Sequence, residues 1–251
     1  MCLILFAYRM HPTYKLIVAS NRDEFYQRPT APVHFWEDHP HILAGRDLEK
    51  MGTWMGITNT GRFAAITNYR DPKEKTDGKR SRGELVADFL KGTDNPAEYM
   101  KRIAAKRTSY PGYNLLVADK ENLYYYSNIE GEIKKLPPGI YGVSNHLLNT
   151  DWPKVKRGKE GLATLAEENP SNLSDHLLTL LQNADPASDK ELPKTGVSLE
   201  WERILSPMFI KTKGYGTRSS TIVLYSEDQV LYKERTINEG EMEEQEYKIT
   251  L

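Results

Sequence analysis

Residues 2–8 and 14–20 open the chain as two runs that are nearly continuous in apolar and β-branched residues, joined by a short segment containing His11-Pro12. A strand with one face in water alternates apolar with polar, so unbroken runs predict paired strands covered on both faces by helices or another sheet. A second pair is expected at 53–58 and 62–67 across Asn59-Thr60-Gly61, a hairpin turn signal. Ser81-Arg82-Gly83-Glu84 then has capping-box spacing ahead of Leu85, Val86, Phe89 and Leu90, with Gly92 as a stop. Asn95-Pro96 starts a second helix with Asn as cap and Pro in the first turn. Strands return at 113–118, 123–127 and 140–144, helices at about 152–168 and 172–183, and a short helix starts at Ser198. Strands at 219–225, 230–234 and 246–250 close the chain. Strands, paired helices and strands again predict an α+β layered domain rather than a βαβ repeat.

With 251 residues, 39% of them hydrophobic, and no Pro/Gly/Ser-rich linker, the chain is read as one domain over 1–251. Lysine and arginine (34) balance aspartate and glutamate (35), so no broad positive field exists to draw nucleic acid. The first apolar run is too short for a membrane span and lacks a basic leader, so no integral membrane segment and a cytoplasmic location are expected. A single cysteine rules out an internal disulfide framework and a Cys-rich zinc site.

That cysteine is Cys2, directly after the initiator Met. Once a methionine aminopeptidase acts beside this small side chain, one residue carries both a thiol and a free α-amine, titrating near ~8.5 and ~8. Nucleophile and base then reside together, without a separate histidine. The alternative is a small buried hydrophobe opening a core strand. Ser20-Asn21-Arg22-Asp23-Glu24 forms a polar cluster where the second run ends. Antiparallel pairing of the first two strands brings that end next to Cys2, where Asp23 would orient the amine or thiol. A surface turn, in which Arg22 pairs with a neighbour, is the competing reading.

Taken in order, Cys2, Asn21-Arg22-Asp23-Glu24, Gly52-Thr53-Trp54, Ala65-Ile66-Thr67-Asn68-Tyr69, Arg82-Gly83-Glu84-Leu85-Val86, Gly142-Val143-Ser144-Asn145 and Gly214-Tyr215-Gly216-Thr217-Arg218 resemble the NRDE family, also called the transport and Golgi organisation protein 2 family. The resemblance implies a fold similar to the N-terminal nucleophile hydrolases, a four-layer αββα sandwich of two antiparallel sheets. More remotely, the chain resembles the cholylglycine hydrolase and penicillin V acylase branch, which cleaves amides with an N-terminal Cys. Carried over residue by residue, Cys2 matches the nucleophile and Asp23 the aspartate that orients it. Asn68-Tyr69 matches the position whose Asn or neighbouring backbone amide supports the oxyanion, Asn145 a second oxyanion donor, and Arg218 the arginine that completes such sites. Asn21, Arg22 and Tyr69 are expected to line the substrate site. One position departs: that branch has an arginine three residues before the aspartate, where this chain has Ser20.

The function expected is an N-terminal cysteine hydrolase acting on a non-peptide amide, or an acyl transferase, with a small acylated metabolite as partner and no cofactor or metal. The alternative is a non-catalytic carrier, since members of the resembled family are linked to haem and acyl-lipid handling. His34, His39 and His41 match no zinc spacing and are read as loop histidines beside Pro32 and Pro40. The basic stretch from Arg70 to Arg82, diluted by Asp71, Glu74 and Asp77, is read as a flexible charged loop; the alternative, from its place after Asn68-Tyr69, is that it overhangs the site and attracts a carboxylate or phosphate.

Overall fold

Both ends of the chain contribute to one sheet. The computed structural model describes residues 2–238 and 241–251. In it β1 (Cys2–Tyr8) and β2 (Leu16–Phe25) lead into β3 (Thr30–Phe35), β4 (Ile42–Asp47), β5 (Met55–Thr58) and β6 (Phe63–Asn68). Helices α1 (Gly83–Lys91) and α2 (Pro96–Ala104) follow, then β7 (Tyr113–Ala118), β8 (Leu123–Ser127), β9 (Ile133–Lys135) and β10 (Gly139–Val143). After α3 (Pro153–Glu168), α4 (Leu173–Leu181) and α5 (Leu199–Ile204) come β11 (Tyr215–Tyr225), β12 (Gln229–Asn238) and β13 (Glu241–Thr250).

Among the described residues the strands form two antiparallel sheets, ordered β10-β1-β2-β11-β12-β13 and β3-β4-β5-β6-β7-β8-β9. Along β1, Ile4 and Phe6 point between the sheets, where they join Val18 and Val223 against Leu43, Ile57 and Phe63. Leu3, Leu5 and Ala7 point outward against Leu162 of α3 and Leu177 and Leu178 of α4. Helices α1 and α2 cover the outer face of the second sheet, with Leu85, Phe89, Tyr99 and Met100 on Ala64, Leu115 and Val117. The result is a four-layer αββα sandwich. The unbroken apolar runs follow from this layering, because each central strand buries both faces. No helix among the described residues is long and apolar enough to cross a membrane.

Three local expectations are corrected. β2 continues five residues beyond Ser20, so Asn21, Arg22 and Asp23 lie inside a strand bonded to β1 and β11 rather than in a turn. The histidine-bearing stretch read as a loop is strand in part: His34 lies in β3, while His39 and His41 lie in the connection between β3 and β4. β3 is an edge strand in which Val33 alone is fully buried, and a register shift between Ala31 and His34 accommodates Pro32. The capping box before α1 does not form: Arg82 holds the cap position without a side-chain bond, and Glu84 pairs with Arg80 instead, Nη2–Oε2 2.6 Å. The Asn95 cap of α2 does form, accepting from the Glu98 amide at 3.0 Å.

Candidate active site

Cys2 pairs directly with Arg22 across β1 and β2, so both side chains leave the same face of the sheet at the mouth of the sandwich. There they line a cleft of about 420 Å³ with Asp23, Trp54, Asn68 and Arg82 among its walls. Adjacent residues of a strand point to opposite faces, which sends Asp23 away from Arg22. Both nevertheless line the cleft, at the end of the sheet where Cys2 opens β1. The Asp23 backbone amide hydrogen-bonds the Cys2 sulfur, and desolvation raises the thiol above its ordinary value. Asp23 Oδ1 accepts from Thr217 Oγ1 at 2.8 Å. Burial raises the Asp23 carboxyl, with Lys154 and Arg22 among the cations that oppose the rise.

Asn68, at the end of β6, is brought to Cys2 by a polar latch between the sheets. Thr67 Oγ1 donates to the Ser144 carbonyl at 2.5 Å, and Ser144 Oγ donates to the Cys2 carbonyl at 2.9 Å. Asn145, fully buried, then donates from Nδ2 to Asn68 Oδ1 at 2.9 Å and to the Asn68 carbonyl at 3.1 Å. That contact settles the orientation of the Asn68 carboxamide and leaves its NH2 group for the cleft. The Tyr69 amide, the other donor expected here, is committed to the Gly112 carbonyl at 2.8 Å.

The remaining expected residues divide. Arg22 lies 4.1 Å over the Trp54 ring, is 6% exposed, and its Nη1 has no hydrogen-bond partner. Arg218 is buried but stands outside the cleft walls: its Nη1 donates to the carbonyls of Phe25, Tyr26 and Arg28 at 3.0–3.1 Å, clamping the turn after β2. Asn21 faces the opposite side of the sheet, donating to the Leu181 and Met208 carbonyls and accepting from Ser220 Oγ at 2.7 Å. Tyr69 packs against the His146 ring with centroids 5.0 Å apart and is not a cleft wall. Among the described residues no group of His, Cys, Asp and Glu is arranged to hold a metal ion.

Comparison with known proteins places this architecture. The family model described as Transport and Golgi organisation 2 matches residues 1–239. The chain belongs to that family. Its Homo sapiens homolog is 34% identical over 275 residues, covering 100% of this chain and 99% of the relative. The Drosophila melanogaster protein is 29% identical, covering 94% and 92%. Among solved structures, the Caenorhabditis elegans N-acylethanolamine-hydrolyzing acid amidase ortholog superposes with a TM-score of 0.53 at 11% identity, covering 89% of this chain and 92% of that one. A conjugated bile acid hydrolase variant from Clostridium perfringens gives 0.52 at 10% identity, covering 98% and 92%. At those identities the likeness is one of fold, that of the N-terminal nucleophile hydrolases.

The walls of the cleft explain several sequence blocks at once. Gly52 and Gly83 touch backbone to backbone: a Cβ on Gly52 would lie 2.6 Å from the Gly83 carbonyl carbon. That contact sets Trp54 opposite Arg82. Arg82 donates to the Gly112 carbonyl at 3.1 Å. Arg28, Lys50, Lys79 and Arg80 also line the cleft, outnumbering the acids there. Two charged residues escaped the sequence reading. Glu234 is buried on β12, accepting from the Val33 amide at 2.7 Å, and Lys154 is buried at the start of α3. Neither sits in a pattern that marks it, since Lys154 is one of several basic residues between 154 and 159.

Proposed function

We propose that the chain is an N-terminal cysteine hydrolase, or acyl transferase, that cleaves a non-peptide amide of a small acylated metabolite. The observation that carries this reading is the meeting of a thiol, a carboxylate and an oriented carboxamide donor, Cys2, Asp23 and Asn68, in one cleft. Two fold neighbours are themselves named as an amide-cleaving amidase and a conjugate hydrolase, which supports the reaction class.

Removal of Met1 would free the Cys2 α-amine. The amine takes the thiol proton as sulfur attacks the substrate carbonyl, which offsets the burial that otherwise keeps the thiol neutral. The Asn68 NH2 group receives the developing oxyanion. Collapse breaks the C–N bond, the departing amine takes the proton held by the α-amine, and a thioester remains on Cys2. Water, or an acceptor amine or hydroxyl, then releases the acyl group and restores the thiol. The cationic walls suit a carboxylate or phosphate on the substrate.

One second reading is a carrier that holds an acyl-lipid or haem as cargo, favoured by the burial that raises the Cys2 thiol and keeps it neutral. Cysteine ligates haem iron as the thiolate and no His, Met or Tyr is among the described cleft walls, so an acyl-lipid is the cargo that suits this reading better. Wild type and Cys2→Ala, tested on N-acyl amino acids, acyl-CoA thioesters and haem for product and for binding, separate the readings. Thiol-dependent product from any amide or thioester supports the hydrolase. Tight binding of an acyl compound by both variants with no product, or haem binding that Cys2→Ala abolishes, favours the carrier.

A further inference from the structure

Of the six basic side chains that line the cleft, four already have carboxylate partners. Arg28 pairs with Asp47 at 2.7 Å, Lys50 with Glu49 at 3.5 Å, Lys79 with Glu74 at 2.8 Å and Arg80 with Glu84 at 2.6 Å. Arg22 and Arg82 are the two that form no ion pair among the described residues. A guanidinium stays charged at any ordinary pH, and burying one without a counter-charge is unfavourable. The Trp54 ring, 4.1 Å from the Arg22 guanidinium, offsets part of that penalty. It leaves Nη1 without a hydrogen-bond partner in a side chain that is only 6% exposed.

Helix α1 begins at the same wall. Ser81, Arg82 and Gly83 line the cleft, and no side chain caps the helix. The first amides of a helix have no partner within it and carry the positive end of its dipole, so an uncapped start favours an anion. The Thr53 amide donates to the Gly83 carbonyl at 3.2 Å, which ties that helix start to the residue beside Trp54, on whose ring Arg22 lies. A chain of direct contacts therefore joins the buried guanidinium to the open end of α1.

We propose that Arg22, Arg82 and the first turn of α1 form a carboxylate subsite, which selects acylated compounds bearing a carboxylate a few bonds from the acyl amide. Cys2 and Arg22 are direct partners across β1 and β2, with Cα atoms about 5 Å apart in such a pair. An anion bonded to Arg22 then lies about one side-chain length from the Cys2 sulfur. That distance suits the carboxylate of an N-acyl amino acid or of a short dicarboxylic acyl group, which a guanidinium fork matches with two parallel bonds. It does not suit the phosphates of an acyl-CoA, which stand the whole length of the pantetheine arm from the thioester carbonyl. The subsite holds under either reading of the function; only the scissile amide beside it rests on the hydrolase reading.

Calorimetric titration of Cys2→Ala, which has no nucleophile, reads affinity without turnover. The probes are N-hexanoylglycine, with its carboxylate on the amine side of the amide, N-butylsuccinamic acid, with it on the acyl side, N-hexanoylethanolamine, with none, and hexanoyl-CoA. One of the two acids binds about ten- to hundredfold more tightly than the ethanolamide, and which one does so tells the side that bears the carboxylate. Arg22→Met and Arg82→Met, each added to Cys2→Ala, reduce that preference to about threefold or less; should the Arg22 variant not fold, the Arg82 variant decides. Equal affinity for the acids and the ethanolamide, no measurable binding of either acid, or a preference undiminished in the folded arginine variants overturns the proposal. Tighter binding of hexanoyl-CoA than of both acids overturns it as well, since the anion site then lies farther from the thiol. Wild type separates this proposal from the hydrolase reading. Carboxylate-dependent binding with no cleavage of any amide refutes the hydrolase and leaves the subsite, whereas cleavage of the ethanolamide and the acids alike, at equal affinity, leaves the hydrolase and removes the subsite.

Discussion

Asn68 depends on a residue that never enters the cleft. A carboxamide can present oxygen or nitrogen with nearly equal steric cost, and it is the Asn145 donation to Asn68 Oδ1 that selects nitrogen for the site. Under the hydrolase reading, Asn68→Ala removes the sole side-chain donor assigned to the oxyanion and lowers kcat by about 10²–10³-fold with little change in KM. Asn145→Ala acts through Asn68 and gives a smaller loss in the same direction. Steady-state kinetics on whichever acyl compound yields thiol-dependent product checks both; an Asn68→Ala enzyme with wild-type kcat removes that residue from the chemistry. Arg218 illustrates the converse. Its motif placed it among the expected site residues, yet three carbonyls at the turn after β2 occupy its Nη1, so its contact is with the backbone there.

Strands buried on both faces were legible where apolar residues fill both faces, as along β1. β2 was legible only as far as Ser20. Beyond it, Asn21, Arg22 and Asp23 are as buried as the apolar residues before them, but polar composition signals a turn until the partners on both sides are known. Burying such residues in a central strand is costly unless each polar group is answered, which is why this segment marks a site. β3 and the first half of β13 were illegible for the opposite reason: an exposed edge strand needs no apolar periodicity. The elements also explain why separate sequence blocks belong together. Gly52-Thr53-Trp54 and Arg82-Gly83-Glu84 are two sides of one backbone contact, in which the Thr53 amide donates to the Gly83 carbonyl at 3.2 Å. Gly52→Ala places a methyl against backbone atoms that cannot rotate away, so α1 must retreat from β5. The expected outcome is a destabilisation of about 1–3 kcal/mol, read by denaturant unfolding, together with weaker binding of ligands that span Trp54 and Arg82. Unchanged stability would mean the two glycines are not in contact in solution.

At the scale of the molecule, the cleft exists only where the two sheets meet: Cys2 and Asp23 come from one, Trp54 and Asn68 from the other, and Arg82 from the start of α1. The family blocks named these residues but not the distances between them. The same assembly constrains the chain's start. β1 is an interior strand, bonded to β2 from Cys2 onward and to β10 from Ile4 onward, so Cys2 is held in register and cannot slide to suit an altered terminus. If the α-amine is the base, the active protein begins at Cys2, and intact-mass measurement of natively expressed material finds Met1 removed. An uncleavable extension ahead of Cys2 converts the amine into an amide that cannot accept a proton. Loss of a general base costs about 10²–10⁴-fold in rate, so turnover falls by that factor while the unfolding midpoint, set by cores distant from the terminus, stays the same. Full turnover from a chain whose mass retains Met1, or from the extended form, would exclude the α-amine mechanism and shift the assignment to a base elsewhere in the cleft.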